Sequence, residues 1–209
     1  MELTPSDSSA IVQDVMALRD AGLASMAYFY FDFRDVAKQS FHNLLSSLLT
    51  QLSTRSDNFS KIISRVYQAH DHGTRKPSTS TLIACLKEMF ALPNQGPIYI
   101  ILDALDECPA YGIPSAREQV LNLLEDLVRL QLSDLRICVT SRPEVDIRTA
   151  LEPLAFRPIS LHDESGQKRD IEDYIRFVVY TNSNAAMTKL RGKDRELVVE
   201  TLTERADGM

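Results

Sequence analysis

The sequence predicts an α/β fold built on a parallel sheet. Three observations carry that expectation. Runs of β-forming residues alternate along the chain with longer stretches of helical periodicity. The runs are nearly continuous in apolar residues, as in strands covered on both faces. Two of them close on polar side chains, "YIILDALDE" from Tyr99 and "RICVTSRP" from Arg136. Open α/β sheets place their ligands outside the carboxyl ends of such strands.

The elements follow in order. From Ser8 to Asp20, Ile11, Val12, Val15, Met16 and Leu18 recur at helical spacing, and Gly22 can close the helix. "SMAYFYFDF", Ser25–Phe33, is dense in aromatic residues and reads as a strand. The long helix expected in "DVAKQSFHNLLSSLLTQL" carries a broad apolar face of Phe41, Leu44, Leu45, Leu48, Leu49 and Leu52. Further helices are expected from Asn58 to about Asp71, stopping near Gly73, and from about Ser78 to Ala91. Ile98–Leu102 is the second strand. Ser115, three residues before Glu118, carries a capping-box signature and opens a helix to about Gln131. Leu135–Pro143 holds the third strand, followed by the short helix "EVDIRTAL" and a brief strand "FRPISL", Phe156–Leu161. The pattern then changes to two helices, Lys168–Thr181 and Gly192–Arg205. A boundary is therefore expected after 161, with an α/β core over 1–161 and a helical part over 162–209.

Composition removes several function classes. Net charge is −6, so no global basic field favours nucleic acid or an anionic membrane. No apolar run approaches the roughly 20 residues of a membrane span. The N-terminus lacks the basic and apolar regions of a secretory signal. Three cysteines without a CxxC pair suit a reduced, cytoplasmic protein.

The acidic turn holds the chemistry. Asp103 closes a strand that reads as buried, and Asp106 and Glu107 follow within one turn. Carboxylates so close repel one another unless a cation compensates them. A carboxylate at the end of an apolar strand is a Walker-B-type arrangement that orients Mg²⁺ beside nucleotide phosphates. A carboxylate three or four residues on can position attacking water. Thr140, Ser141 and Arg142 sit at another strand end, where Arg142 can meet phosphate charge. Each feature alone also fits a solvated loop or an ordinary strand-to-helix turn. Their occurrence on two strands of one α/β pattern favours a nucleotide site.

Other candidates are weaker. His70 and His72 read as a polar helix end, with no third metal ligand recognisable. Cys108 beside three carboxylates should have a raised pKa and little thiolate. Arg34 and Asp35 read as a local ion pair or cap.

The segments "MAYFYFDFRDVAKQS", "YIILDALDEC", "RICVTSRPE" and "ISLHDESGQKRDIEDYI", in this order and spacing, resemble the NACHT-type (STAND) NTPase domains of fungal signalling proteins. These are similar to the N-terminal P-loop domain of nephrocystin-like proteins. The resemblance covers about Ser8 to Met209. It implies an incomplete parallel P-loop NTPase-like sheet with flanking helices, followed by the start of a helical lid subdomain. It implies ATP or GTP and Mg²⁺ as ligands. Asp103 would hold Mg²⁺, Asp106 and Glu107 would be catalytic, Thr140 and Ser141 would line the nucleotide, and Arg142 would read the γ-phosphate. It also implies protein partners, self-association among them, and downstream repeat domains in full-length relatives, with no nucleic acid or membrane.

One motif of that family is missing. The phosphate-binding loop has the form G-x-x-x-x-G-K-[ST]. The only Gly-Lys pair here is Gly192-Lys193, which Asp194 follows, and position 187 is Met where the first glycine would stand. The resemblance thus implies a fragment that starts after that loop and lacks Walker A. Two readings lead: a nucleotide-dependent signalling switch that does not hydrolyse nucleotide by itself, and a nucleotide-free protein-interaction module. A metal-dependent phosphoesterase built on Asp103, Asp106 and Glu107 is a third, and it needs ligands the sequence does not supply.

Overall fold

The protein is described by a computed structural model over residues 5–54, 56–155, 165–181 and 192–206. The chain divides into two compact units, one spanning Thr4–Phe156 and the other drawn mainly from Arg157–Met209. The strand expected at 156–161 lies outside the described residues. No helix of the described residues is long and apolar enough to cross a membrane.

The first unit is α/β. Its helices are α1 (Pro5–Asp20), α2 (Phe41–Ser53), α3 (Asp57–Ala69), α4 (Thr79–Ala91), α5 (Ala116–Arg129) and α6 (Val145–Leu151). Its strands are β1 (Ser25–Tyr30), β2 (Ile98–Asp103) and β3 (Leu135–Val139). They form one sheet in the order β1-β2-β3, with both pairings parallel. The register sets Tyr30 beside Asp103 and Leu102 beside Val139, so the three carboxyl ends lie at one edge.

Strand periodicity divides the core. Ile98, Ile100 and Leu102 enter the larger cluster, which includes Leu44, Leu48 and Leu52 of α2, Leu86 and Met89 of α4, and Val120 and Leu124 of α5. Ile101 and Met26 point the other way and meet Val12 and Val15 of α1. Both faces are thus covered, but unequally. The α1 side is finished by half-buried Tyr28, Tyr30 and Tyr99, residues that join a large apolar ring to a polar hydroxyl.

Local chemistry fixes the helix ends. Gly22 takes a left-handed conformation after α1 (φ 71°). The Gly22 and Leu23 N–H groups then return to the Arg19 and Leu18 carbonyls, a Schellman closure. The Ser78 and Ser115 hydroxyls accept the N–H groups of Thr81 and Glu118. One expected helix is shorter than its periodicity suggested. Ser40 is extended and caps α2 at Phe41, so Val36–Gln39 is a separate 3-10 turn.

The outer edge of β1 has its own device. The Gln51 side chain on α2 accepts the Tyr28 N–H (3.1 Å) and donates to the Tyr28 carbonyl (2.7 Å). It pairs an edge residue that would otherwise present bare backbone groups. Gln51→Ala should lower the unfolding free energy by about 1–3 kcal/mol. The measurement is the urea midpoint, expected to fall at unchanged m-value.

β3 departs from the expectation of a buried strand. None of its five residues is fully buried. Among the described residues it has one neighbour, β2, and nothing pairs with its other edge.

The second unit contains α7 (Ser165–Thr181) and α8 (Gly192–Ala206). Val179 and Val199 are buried in it. Arg176 donates to Glu172 (2.9 Å) and Glu196 (2.6 Å), and the Tyr180 hydroxyl donates to Glu196 (2.9 Å). Hydrogen bonds from Arg176, then from Tyr180, hold the Glu196 carboxyl below the usual range.

Candidate functional site

The site is assembled where β2 and β3 end. After Asp103 the chain reverses at Ala104, which adopts the left-handed conformation (φ 54°) without being glycine. Such backbone costs on the order of 1–2 kcal/mol and persists only where the surroundings fix it. Here they do. The Ala104 N–H donates to the Thr140 hydroxyl (3.0 Å), and the Leu105 N–H donates to the Thr140 carbonyl (3.0 Å). Leu105 itself is fully buried in the main core and anchors the 3-10 turn Leu105–Glu107.

Thr140 is the hub between the strands. Its N–H donates to the Leu102 carbonyl (2.9 Å), continuing the ladder past the end of β3. Its hydroxyl donates to Asp103 Oδ1 while accepting from Ala104. The Asp103 charge is felt nearby. Burial first and Asp103 second raise the Tyr30 phenol, and the same two causes, in that order, raise the Cys138 thiol.

The three carboxylates do not converge. Asp103 faces Thr140. Asp106 Oδ1 accepts the Arg142 N–H (3.0 Å), and its Oδ2 lies 3.5 Å from Arg142 Nε. Glu107 accepts the Phe33 N–H (3.0 Å), three residues past the end of β1. Much of the compensating cation sought for this cluster is therefore Arg142 itself. The Ser141 hydroxyl turns to the Arg142 carbonyl (2.8 Å). Of the six residues expected at this edge, Asp103, Asp106, Glu107, Thr140, Ser141 and Arg142, the structure joins Asp103 to Thr140 and Asp106 to Arg142, while Glu107 and Ser141 turn to backbone groups. Among the described residues no three His, Cys, Asp or Glu side chains are grouped to hold a metal ion.

Beside this cluster lies an open cavity of about 420 Å³, lined by Phe33, Glu107, Tyr111, Arg117 and Arg142 among others. Asp103 does not line it. Cys108 is buried at its base, and burial pushes the thiol up to about 12. The expected direction holds, but the cause is different: desolvation acts rather than the carboxylates, and Arg117 works the other way.

Arg34 and Asp35 have separate tasks. Arg34 pairs with Asp32 (3.0 Å), and Asp35 accepts the Ala37 N–H (2.9 Å) as a cap. Hydrogen bonds from the Arg34 side chain, then from its backbone N–H, hold the Asp32 carboxyl at about 2. A depressed carboxylate stabilises the fold above its ordinary value and stops doing so as it protonates. The contribution is thus complete above about 3.8 and is lost as pH falls through about 2. Carbon-detected NMR titration should find the low Asp32 value, and Arg34→Ala should return it toward the ordinary one.

Arg117 is the residue that sequence reading missed. A signal existed: it is the second residue of α5, where the helix dipole disfavours a cation.

A family model described as nephrocystin 3, N-terminal, matches residues 8–142. The chain belongs to the nephrocystin 3 N-terminal family. The match runs from within α1 to Arg142, so the family segment contains all three strands of the described residues, the acidic turn and the Thr140–Arg142 strand end. The helices from α6 onward follow it. No curated protein matches the chain. One chain of a solved structure of Drosophila ORC bound to AT-rich DNA and Cdc6 is similar at 12% identity, over 97% of this chain and 79% of that one. Its TM-score is 0.27, too low to bear on fold or function.

Proposed function

We propose that the α/β unit is the nucleotide-responsive part of a signalling switch of NACHT type, and that this chain does not hydrolyse nucleotide by itself. One observation supports this most. Asp103 and Thr140 are joined at the carboxyl edge of a parallel sheet, and Asp106 and Arg142 are paired beside them. That edge is where ligands of open α/β sheets bind.

The residues fit a hydrated cation in part. Thr140 occupies Oδ1 of Asp103 and orients the carboxylate. Its second oxygen could hold Mg²⁺ through water, the usual mode for this ion. Bound Mg²⁺ would supply charge neutralisation for phosphate oxygens. Asp106 and Glu107 fit a catalytic role less well, because Arg142 and the Phe33 N–H engage them. We assign them to holding the turn. Arg142, more than half exposed, is the group that meets phosphate charge once it leaves Asp106. The helical unit is the start of a lid.

The test is an NMR titration with Mg²⁺ and ATP or GTP. Shifts are expected at Asp103–Glu107 and Thr140–Arg142. Half-saturation should be on the order of millimolar, since one or two charge-assisted hydrogen bonds supply only about 3–4 kcal/mol. Asp103→Ala should remove the Mg²⁺ dependence. Shifts confined to other surfaces would refute the assignment.

A second reading, a nucleotide-free interaction module, has its own support. Phe33, Val36, Tyr111, Ile113 and Val145 are the most exposed large apolar side chains described in the first unit. Phe33, Val36, Tyr111 and Ile113 lie in the connections that leave the carboxyl ends of β1 and β2, and Val145 opens α6 just after β3. A phosphoesterase is not proposed, because the three carboxylates face different partners.

A further inference from the structure

We propose that Arg117 is the positioning residue of this site, bracing the acidic turn against α6. The guanidinium is one-tenth exposed, an unusual place for an arginine. Every direction in which it donates leads to the turn or to α6. Nε donates to the Cys108 carbonyl (2.9 Å), and Nη2 donates to the Asp106 carbonyl. Nη1 reaches the Asp146 carboxylate of α6 at 3.2 and 3.4 Å. Its own backbone N–H donates to the Pro109 carbonyl (3.0 Å). One residue thus holds three carbonyls between Asp106 and Pro109.

The brace has a counterpart. Asp106, whose carbonyl meets Arg117, gives its carboxylate to Arg142. Asp146, which meets Arg117, stands four residues after Arg142. The stretch from Arg142 to Asp146 is therefore held at one end by an ion pair to Asp106 of the acidic turn, and at the other by an ion pair of opposite polarity to Arg117 of α5, whose guanidinium in turn holds the Asp106 and Cys108 carbonyls. A planar fork with five donors can serve acceptors in several directions at once, which an ammonium or an amide cannot reproduce. Displacement of α6 is passed through Arg117 to the carbonyls of the turn, and so to the placement of Asp106 and Glu107. The relevance to nucleotide rests on the reading above. The brace itself does not, and its test uses no nucleotide.

Cys108 reports on the turn. It is buried beneath it, as Cys85 is buried in α4 of the same core. Iodoacetamide labelling of the folded chain, read at each cysteine by mass spectrometry, separates local release from general loosening. Arg117→Gln should accelerate Cys108 labelling about tenfold or more while Cys85 keeps its rate. The sign is informative. Removing the guanidinium takes away a charge that favours the Cys108 thiolate, so only opening of the turn can speed the reaction. Arg117→Lys should lie close to Arg117→Gln, because it restores charge but not the fork. Asp146→Asn spares the carbonyl bonds. It should give a smaller acceleration confined to Cys108, and it decides the matter if Arg117→Gln does not fold. Equal acceleration at Cys85 and Cys108, or none at Cys108, overturns the proposal.

Discussion

Leu105→Ala is expected to lower the unfolding free energy by about 2–5 kcal/mol, the range for truncating a fully buried leucine. Leu105 has no exposed surface and belongs to the main core, yet it lies inside the acidic turn between Asp103 and Asp106. Its loss leaves a cavity under the turn and frees Ala104 to leave its left-handed conformation. The damage should therefore reach the site. Chemical denaturation gives the stability loss. Amide spectra should show the Thr140 and Arg142 resonances displaced, because their bonds to Ala104, Leu105 and Asp106 depend on that turn. Leu52→Ala on α2, equally buried in the same core, is the control, and it should cost similar stability with little change at Thr140.

Several features were legible because they repeat along the chain or occur at fixed local spacing. The three strands are continuous apolar runs, and the sheet they form is parallel as that pattern requires. The cap at Ser115 lies where the sequence pointed, and the helix expected from about Ser78 begins at Thr79 with Ser78 as its cap. The acidic turn and the Thr140–Arg142 segment could be placed at one edge because parallel strands align their carboxyl ends. The pairing inside that edge was not legible. Whether Asp106 meets Arg142, water or a cation depends on which oxygen faces which donor across 36 residues. No periodicity encodes that. The left-handed Ala104 was hidden for the same reason, since its conformation is imposed by Thr140 rather than by its own type. Arg117 looked like one more helical charge, and only burial shows that it serves the turn. The break at Ser40 was missed because Val36 and Ala37 continue an apparently helical run, while a serine hydroxyl accepting the Asn43 N–H starts a new helix.

The second large effect concerns turnover. Phosphoryl transfer is catalysed almost entirely by positioning and electrostatic stabilisation. In P-loop enzymes backbone N–H groups and a lysine cradle the β- and γ-phosphates, and a Ser or Thr helps to hold Mg²⁺. This sequence contains no G-x-x-x-x-G-K-[ST]. Without several charge-assisted hydrogen bonds worth about 1.5–3 kcal/mol each, affinity falls by orders of magnitude. The carboxylates at Asp103, Asp106 and Glu107 add repulsion toward a polyphosphate, which Arg142 offsets only in part. Asp106 also competes for Arg142 at 3.5 Å.

The most direct measurement is hydrolysis of ATP and GTP by the purified 209-residue chain in Mg²⁺, set against the Asp103→Ala, Glu107→Ala double variant. The account predicts turnover indistinguishable between the two and close to the uncatalysed rate. Robust hydrolysis by the chain that the double variant abolishes would contradict it, because it would require a phosphate cradle among residues to which no such role is assigned.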